Sequence, residues 1–507
     1  MRPLFYQEQW QQLQKSPTAK DIESLAQRIA SSFVDRYYYS DEYNREYIHL
    51  LCEMATHFKE PELNQIAARV LFGTVIERLC DDFEELQTET YNRLICQVVN
   101  FLCEHPQGQE IKSELSDFEL PNEELLYERI ENIRLSQDRQ LQSSIKPEKI
   151  LVLSRVTIGA DVAITSVICQ RVSKFYPEAD IIVFGDAKLK QVFGSRSDFK
   201  VHELSYSRRG GLIERFLVWL KLLKEIRTHI AGLSPSQFLL IDPDSRLTQL
   251  GVLPLVPLQN YCFFNSRGKK GSSVTASVSE LTNLWLDNML GEHEFCYPSV
   301  WPEYEKLKLA KQLRKAIDPE GLATVITLNF GVGGNIRKRV EGNFETELVQ
   351  SLLQHPNIRL ILDLGFGEEE QNRAKAIIRC VQQQGIPVQT LDFGELENAK
   401  PDSRLLGLNC TVGEITALIA LSDEFIGYDS ACQHIAAAQK VKTYTVFAGT
   451  TNVRFIRRWK ACGSDTSEII FVDTISKDSH IDNADIIGRL LDPVSYTHLT
   501  LPTILLV

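Results

Sequence analysis

The first 146 residues carry apolar side chains at a helical period. In one segment these side chains recur at steps of three and four: Ile22, Leu25, Ala26, Ile29 and Phe33. A second segment repeats this spacing: Ile66, Val70, Leu71, Val75 and Leu79. Such spacing puts the apolar residues on one face of a helix. Thr18 or Asp21 is a candidate N-cap for the first segment, and Pro61 fits the first turn of the second. The pattern predicts an all-α N-terminal region over residues 1–146.

The hydrophobic period changes after residue 146. Short apolar runs at 149–154, 181–184 and 238–241 have the length of buried strands. Helical patterns lie between them, one beginning near Asp161 and one over 212–230. Strands that alternate with helices predict a parallel sheet covered on both faces.

The same alternation is clearer in the last third of the chain. The predicted strands cover 324–329, 358–363, 388–391, 424–427 and 442–447. The predicted helices cover 344–354, 369–384, 412–421 and 431–440. We therefore predict an α/β fold with two Rossmann-like domains, 147–315 and 316–493, whose ligand sites lie at the carboxyl ends of the strands and face one another across a cleft.

The last residues, 494–507, depart from this pattern. Their sequence, VSYTHLTLPTILLV, resembles the translated library-adapter tails that end many environmental gene models. We expect this tail to be artefactual and the natural C-terminus to be missing, with a closing strand or helix as the alternative.

The composition is that of a globular protein, with 43% hydrophobic and 24% charged residues in 507. Residues 1–146 hold 15 Lys and Arg against 26 Asp and Glu, so almost all of the net charge of −12 lies there. An acidic region disfavours binding to nucleic acid or to an anionic membrane surface. We expect this region to be either a module that binds a protein partner or an extension that packs against the next domain.

The chain carries no apolar run long enough to span a bilayer, and its first residues are too polar for a signal peptide. These features predict a cytoplasmic protein that makes at most peripheral contact with a membrane. The 11 cysteines form no CxxC pair, which predicts reduced thiols and no four-ligand zinc cluster.

The segment 425–438 is the strongest candidate for a ligand site. A predicted strand ends there, Asp429 and Ser430 follow at the position of a helix N-cap, and His434 lies in the first helical turn. Free backbone N–H groups and the helix dipole at such a position favour a diphosphate. His434 could donate to a phosphate or sugar oxygen, and Asp429 could accept from sugar hydroxyls. The alternative is an ordinary N-cap with a histidine that faces the core.

Three further loops follow predicted strands. The loop 329–339 contains Gly333 and Gly334, which allow backbone N–H groups to approach a phosphate, and the basic residues Lys338 and Arg339. It lacks the ending of a Walker loop. The other two loops are 365–369 and 448–451, the latter with Thr450. Four loops at strand carboxyl ends predict one nucleotide site.

These motifs resemble glycosyltransferase family 9, the lipopolysaccharide heptosyltransferase group. The resemblance rests on DSACQHIAAA followed by TVFAGTTN, on the preceding TVGEITALIALSDEFIGYDS, and on LVLSRVTIGADVAITS, which is similar to the opening strand, Ile-Gly-Asp turn and helix of the family. It covers about 147–490. In this chain Ala160 is inserted before the aspartate, and the family's Asp-Ser-Gly reads Asp-Ser-Ala.

The resemblance implies a GT-B fold that binds an acceptor in residues 147–315 and a nucleotide-activated sugar in residues 316–493. Family members invert the anomeric centre and need no metal or other cofactor. The catalytic base of the family members corresponds to Asp161. Their phosphate-binding loop corresponds to Gly333, Gly334, Lys338 and Arg339. Their ribose-binding glutamate lands on Glu369 or Glu368, and their donor-contacting residues land on Asp429 and His434.

One motif favours a different chemistry. Asp242-Pro-Asp244 follows an apolar strand and is similar to the Asp-x-Asp that binds a manganese-held nucleotide sugar in GT-A enzymes. Two carboxylates at this spacing suit a hard cation. Because the paired Rossmann pattern assigns the donor to the other domain, we interpret this motif as a loop on the acceptor side.

The leading hypothesis is an inverting, metal-independent glycosyltransferase. It would move a sugar from a nucleotide-sugar donor, similar to ADP-heptose, to a glycan, lipid-linked or other cell-envelope acceptor. One alternative is a nucleotide-sugar 2-epimerase, which shares the two-domain architecture. Another is a non-catalytic binding or scaffold protein, which the insertion beside Asp161 keeps open.

Overall fold

The computed structural model describes residues 3–81, 83–136, 140–141, 145–206, 210–267, 275–476 and 481–499. Within these ranges the N-terminal part, here called the helical region, contains eight α-helices: α1 Pro3–Leu13, α2 Ala19–Ser40, α3 Arg45–Met54, α4 Pro61–Val70, α5 Glu77–Asp81, α6 Glu85–Glu104, α7 Gln109–Asp117 and α8 Glu123–Leu135. A π-helical segment, Leu71–Ile76, joins α4 to α5. Thr18 caps α2 by accepting from the N–H of Asp21, and Pro61 begins α4. The predicted all-α character is confirmed.

The next part, the first lobe, contains a parallel five-stranded sheet in the order β3-β2-β1-β4-β5. Its strands are β1 Lys149–Leu153, β2 Asp180–Gly185, β3 Lys200–Glu203, β4 Phe238–Asp242 and β5 Tyr261–Phe263. Its α-helices are α9 Ile158–Ala160, α10 Ser166–Phe175, α11 Ala187–Phe193, α12 Leu212–Ile230, α13 Val278–Leu290 and α14 Tyr304–Ile317. Three strands match the predicted ones. The short edge strands β3 and β5 were not predicted.

The second lobe contains a parallel seven-stranded sheet in the order β12-β11-β10-β6-β7-β9-β8. Its strands are β6 Thr324–Asn329, β7 Ile358–Asp363, β8 Val388–Asp392, β9 Leu405–Asn409, β10 Glu424–Tyr428, β11 Lys442–Phe447 and β12 Ser467–Phe471. Its α-helices are α15 Phe344–Leu353, α16 Glu368–Gln383, α17 Val412–Ile419, α18 Ala431–Ala438, α19 Val453–Arg458 and α20 Asn483–Leu499. The two Rossmann-like lobes confirm the predicted α/β class, whereas the strands β9 and β12 were not predicted.

Short 3-10 helices occur at Pro106–Gly108, Arg246–Thr248, Leu258–Asn260, Ile336–Lys338 and Phe393–Asn398. Helix α20 continues past residue 493 into the segment that we expected to be artefactual, and residues 500–507 lie outside the described part of the chain. No helix within the described ranges is long and apolar enough to cross a membrane.

The helical region and the first lobe share one hydrophobic core. Helix α12 lies between them, and its buried Phe216 and Trp219 belong to the same cluster as side chains of the helical region. Arg215 places its guanidinium 3.9 Å from the ring centroid of Phe72, and Arg129 donates to the carbonyls of Gly251 and Val252. The helical region therefore packs against the next part of the chain, one of the two arrangements expected for it. Its binding to a protein partner and the exact domain boundaries stay predictions.

The loop between α5 and α6 also contacts the second lobe. The ring of Phe83 lies 6.4 Å from that of Phe455 and 6.2 Å from that of Trp459, centroid to centroid. Arg454 donates to the carbonyl of Phe83 at 2.9 Å and pairs with Glu84 at 3.0 Å. The φ of Phe83 is 56°, a left-handed backbone that a bulky residue adopts only where packing holds it. This loop joins the helical region to the second lobe.

Replacing Phe83 by Ala should lower the free energy of unfolding by about 3 kcal/mol, because a buried ring is removed from this junction. Urea unfolding followed by tryptophan fluorescence measures the change. Tyr39→Ala is the matched control, since it also removes an aromatic ring from the helical region but one that is 86% exposed. Equal effects of the two substitutions would contradict a stabilising role for this contact.

Candidate functional site

Four loops meet at the carboxyl edge of the second-lobe sheet. They follow β11, β10, β6 and β7, which are neighbours in the sheet, so their first residues lie side by side. These are the four loops that the sequence singled out, and each was predicted at a strand end. The arrangement is that of a Rossmann-type ligand edge.

A buried ion pair joins the loop after β6 to the loop after β10. Lys338 Nζ lies 2.6 Å from Asp429 Oδ2, and Gln433 Nε2 donates to Asp429 Oδ1 at 2.8 Å. The side chain of Asp429 is almost fully buried, whereas that of Lys338 is 26% exposed. Lys338 therefore has a buried partner, Asp429, and also access to solvent.

Arg339 connects the loop after β6 to helix α16. Its guanidinium pairs with Glu369 at 2.5 Å and with Glu370 at 3.4 Å, and it is buried. Glu370 in turn accepts from the backbone N–H of Val332 and of Phe366. Through these contacts Arg339 and Glu370 connect the loop after β6 to the loop after β7. Glu369 and Glu368 are exposed at the start of α16.

The backbone at this edge is shaped by glycines. Gly333 has φ 61° and Gly334 has φ 85°, both in the left-handed region, and both are exposed. Gly449, with φ 75°, packs so closely on the carbonyl of Arg337 that a Cβ would overlap it. Thr450 follows, and its hydroxyl accepts from the N–H of Asn452. The loops after β6 and β11 are therefore in direct contact.

Asn329 and Asp363 link the loops after β6, β7 and β10. Asn329 donates to Asp363 at 2.6 Å, and Asp363 accepts from the N–H of Gly365 at 3.1 Å. The hydroxyl of Ser430 lies 3.5 Å from the amide oxygen of Asn329. Burial raises the pKa of Asp363 to about 6, against hydrogen bonds that lower it.

Helix α18 begins at this edge without a side-chain cap. Ser430 occupies the N-cap position with an extended backbone, and its hydroxyl accepts no N–H of the first turn. Four of the eight residues of α18, Ala431 and 436–438, are alanines. The N–H groups of the first turn and the positive end of the helix dipole therefore point toward the loop edge, as an anion site requires.

His434 is buried where the two lobes meet. Its ring packs against Trp459, centroid to centroid 6.0 Å, and is 4% exposed. Burial lowers the pKa of His434 to about 4, so the imidazole is neutral. A Cβ added at Gly159 of the first lobe would lie 3.2 Å from the ring and 3.2 Å from Ala431 Cα, which makes this a position for glycine. The start of α18 thus contacts the turn after β1.

Asp161 lies in that turn, and its carboxylate is buried. Oδ2 accepts from the hydroxyl of Ser154 at 2.7 Å, and Oδ1 accepts from the N–H of Arg155 at 2.7 Å and the hydroxyl of Thr165 at 2.8 Å. Burial raises the pKa of Asp161 to about 6, and these hydrogen bonds oppose the shift. The turn is strained at Val156, a β-branched residue with φ 72°.

The extra residue Ala160 precedes a π-helical segment. The helix that begins at Ile158 is π-helical over Asp161–Thr165 and becomes α-helical at Ser166. A π-helical turn accommodates one extra residue without shifting the rest of the helix. Asp161 and Thr165 therefore face one another within one wide turn, where the hydroxyl of Thr165 donates to Asp161.

The Asp-Pro-Asp motif after β4 is part of the first-lobe framework. Asp242 accepts from the hydroxyls of Thr248 and Tyr261 and from the N–H of Ser245. Asp244 pairs with Arg155 and Arg267. Both carboxylates are fully buried, and their oxygens are occupied by protein donors. The motif supports the turn that carries Asp161.

Sequence reasoning missed the residues that connect the loops. These are Asn329, Asp363, Glu370, Gln433 and Phe83. A signal existed for two of them, since Asn329 and Asp363 end predicted strands and are register partners in the sheet. Glu370 and Gln433 lie in the first turns of α16 and α18, and Phe83 lies in the helical region; nothing in the sequence shows which partners they contact.

Comparison with known proteins agrees with the fold. Residues 395–475 match the model of glycosyltransferase family 9 (heptosyltransferase), a segment that contains β10, α18 and β11. This match confirms the predicted resemblance and supports the classification of the chain as a glycosyltransferase. No curated protein matches the sequence.

Solved structures share the two-lobed fold at low sequence identity. A family 9 glycosyltransferase from Veillonella parvula has TM-score 0.50 and 12% identity over 70% of this chain and 99% of that one. The ADP-heptose lipopolysaccharide heptosyltransferase II of E. coli has TM-score 0.46 and 13% identity, covering 69% and 98%. A UDP-N-acetylglucosamine 2-epimerase has TM-score 0.36 and 13% identity, covering 71% and 88%. The first of these confirms the GT-B fold.

Proposed function

We propose that this chain, whose residues 395–475 are of glycosyltransferase family 9 type, is an inverting and metal-independent glycosyltransferase. It takes a nucleotide sugar similar to ADP-heptose as donor and a glycan or lipid-linked cell-envelope acceptor. The donor binds at the loop edge of the second lobe, and the acceptor binds on the first lobe. The predicted cytoplasmic location stays a prediction.

One observation carries the proposal. The turn that holds Asp161 lies against the start of α18, whose N–H groups have no side-chain cap and beside which Lys338 is 26% exposed. A carboxylate and an anion site therefore meet across the junction of the lobes. Displacement at an anomeric carbon needs this pair: a base for the acceptor hydroxyl and a stabiliser for the departing diphosphate.

The chemistry follows from these positions. Asp161 takes the proton of the acceptor hydroxyl as its oxygen attacks the anomeric carbon from the face opposite the diphosphate. Negative charge then grows on the diphosphate, which the N–H groups of α18, the loop at Gly333 and Gly334, and Lys338 stabilise. These groups supply positive potential without a divalent ion. Glu369, Ser430 and Thr450 line the same edge and are the proposed contacts to the rest of the donor.

Nucleotide binding in the presence of EDTA tests the donor site. Stabilisation by ADP, with UDP and GDP as comparisons, is the expected result; a ligand at 100 times its Kd adds about 2.7 kcal/mol to the free energy of unfolding. No response to any nucleotide would overturn the donor assignment and favour a scaffold. Turnover of a UDP-sugar without acceptor would instead indicate an epimerase.

The pH profile of kcat/KM should show an acidic limb near pH 6. The pKa of Asp161 is raised to about 6, and below that pH the protonated group cannot accept a proton, so activity falls about tenfold per pH unit. Asp363→Asn is the control, since the pKa of Asp363 is also raised to about 6 but its group plays no proton-transfer role. Loss of the limb in Asp363→Asn would contradict the assignment to Asp161.

The raised pKa of Asp161 also makes the free energy of unfolding depend on pH. Because the folded-state pKa of Asp161 is raised above 3.8, the folded chain holds this proton more tightly than the unfolded chain. Its contribution to stability is therefore present below pH 3.8 and lost as the pH rises through about 6.

A further inference from the structure

A cluster of two histidines and a glutamate lies on the first lobe, on the outer strand of its sheet. It consists of His202 on β3 and of Glu225 and His229 on α12, one helical turn apart. One ligand atom from each of the three lies within 4.8 Å of the others. Among the His, Cys, Asp and Glu side chains of the described residues, this is the one such trio. The proposed transferase does not use it.

We propose that this cluster is a binding site for a divalent transition metal of the Zn²⁺ type, which would tie the edge strand β3 to helix α12. Two imidazole nitrogens and a carboxylate oxygen are a donor set that suits Zn²⁺, and three protein ligands leave a fourth position for water. The site is independent of the transfer chemistry proposed above.

The spacing of the ligands supports this assignment. His202 Nε2 and Glu225 Oε2 are 3.4 Å apart, which is the separation of two ligands in a tetrahedron with metal–ligand distances of about 2.1 Å. The remaining separations between ligand atoms are at most 4.8 Å. The three side chains are half-buried, so an ion has a path from solvent.

The two imidazoles are positioned by packing. Phe184 of β2, the register partner of His202, contacts both rings, at centroid distances of 5.0 Å to His202 and 5.5 Å to His229. The two histidine rings lie 5.2 Å apart and nearly perpendicular. Lys149 donates to the carbonyl of His229 and fixes the end of α12. Ligands held in this way lose less freedom on binding an ion.

A bound ion would act on the contact between the helical region and the first lobe. Helix α12 also pairs with the helical region, through Arg227 with Glu114 at 2.7 Å and Lys224 with Glu110 at 3.1 Å. An ion on its inner side would fix the four-residue strand β3 to the same helix. The expected consequence is a higher unfolding temperature in the presence of Zn²⁺.

Zn²⁺ titration of the full chain, after treatment with EDTA and its removal, tests the proposal. Calorimetry should give one ion per chain, and Co²⁺ should show the visible absorption of a tetrahedral site. His229→Gln and Glu225→Gln should each weaken Zn²⁺ binding more than about tenfold. His49→Gln is the matched control, because His49 and Glu53 have the same helical spacing and lie 3.3 Å apart without a third ligand among the described residues.

The outcomes separate cleanly. Zn²⁺ binding that survives in His229→Gln and Glu225→Gln would overturn the proposed site. Equal loss of Zn²⁺ binding in His49→Gln would also overturn it, as would the lack of Zn²⁺ binding by the wild-type chain. Circular dichroism and retained ADP binding show that each variant is folded. Nucleotide binding does not depend on this ion, so failure of the metal site and failure of the donor site are distinguishable.

Discussion

Asp161→Asn is expected to lower kcat by about 10²- to 10⁴-fold, the range typical for loss of a general base. The affinity for the donor nucleotide should stay nearly unchanged, because the diphosphate contacts come from the second lobe. Steady-state kinetics with the sugar donor, together with calorimetric titration of the nucleotide product, measure the two effects separately.

Asp161 is also a structural acceptor, and the experiment must separate this role from catalysis. An asparagine keeps one oxygen for the N–H of Arg155, but its amide group faces a donor at Ser154 or Thr165. The cost is about 1 to 3 kcal/mol of stability. Ser154→Ala and Thr165→Val remove a donor and keep the carboxylate, so they should be destabilised yet retain most of the activity. Full activity in Asp161→Asn would refute the proposed base.

Lys338→Ala is expected to lower kcat by about 10²- to 10³-fold, comparable to the loss of one transition-state donor. The charge of Lys338 opposes the charge that develops on the departing diphosphate, so the loss should appear in kcat more than in KM. The neighbouring Arg337→Ala is the control, since Arg337 is exposed and lies in the same short 3-10 helix.

The substitution at Lys338 also leaves Asp429 without its cation. A buried carboxylate without that partner lowers stability, so the kinetic comparison belongs at a temperature where both variants are folded. Lys338→Arg keeps the charge and should recover part of kcat. An unchanged kcat in Lys338→Ala, with only stability reduced, would make the ion pair with Asp429 purely structural.

Long apolar patterns predicted the fold well. Helix α12 was predicted over 212–230 and has those bounds, because its apolar residues pack on both the helical region and the sheet. The missed strands of the first lobe, β3 and β5, lack such a signal. Lys200–Glu203 is a four-residue edge strand with a single aliphatic side chain, Val201, and Tyr261–Phe263 has only three residues. Their strand conformation comes from pairing with β2 and β4, which is tertiary information.

The site was predictable in part for a similar reason. Strand ends and glycines locate the loops, but they do not show which charges pair. Lys338 with Asp429, and Arg339 with Glu369, join residues that are 91 and 30 positions apart. His434 lies against Gly159 of the other lobe, a contact that the sequence does not show. The resemblance assigned roles to these residues, and the structure shows how each is held.

The shared core of the helical region and the first lobe bears on how this chain can be divided for experiments. A fragment beginning near residue 147 would expose the side of α12 that carries Phe216 and Trp219. This side is a large hydrophobic surface, which is unfavourable in contact with solvent. We expect such a fragment to aggregate during expression, even though it would span every family motif. The acidic helices therefore behave as an intramolecular solubiliser, and trimming them is the wrong route to a smaller transferase.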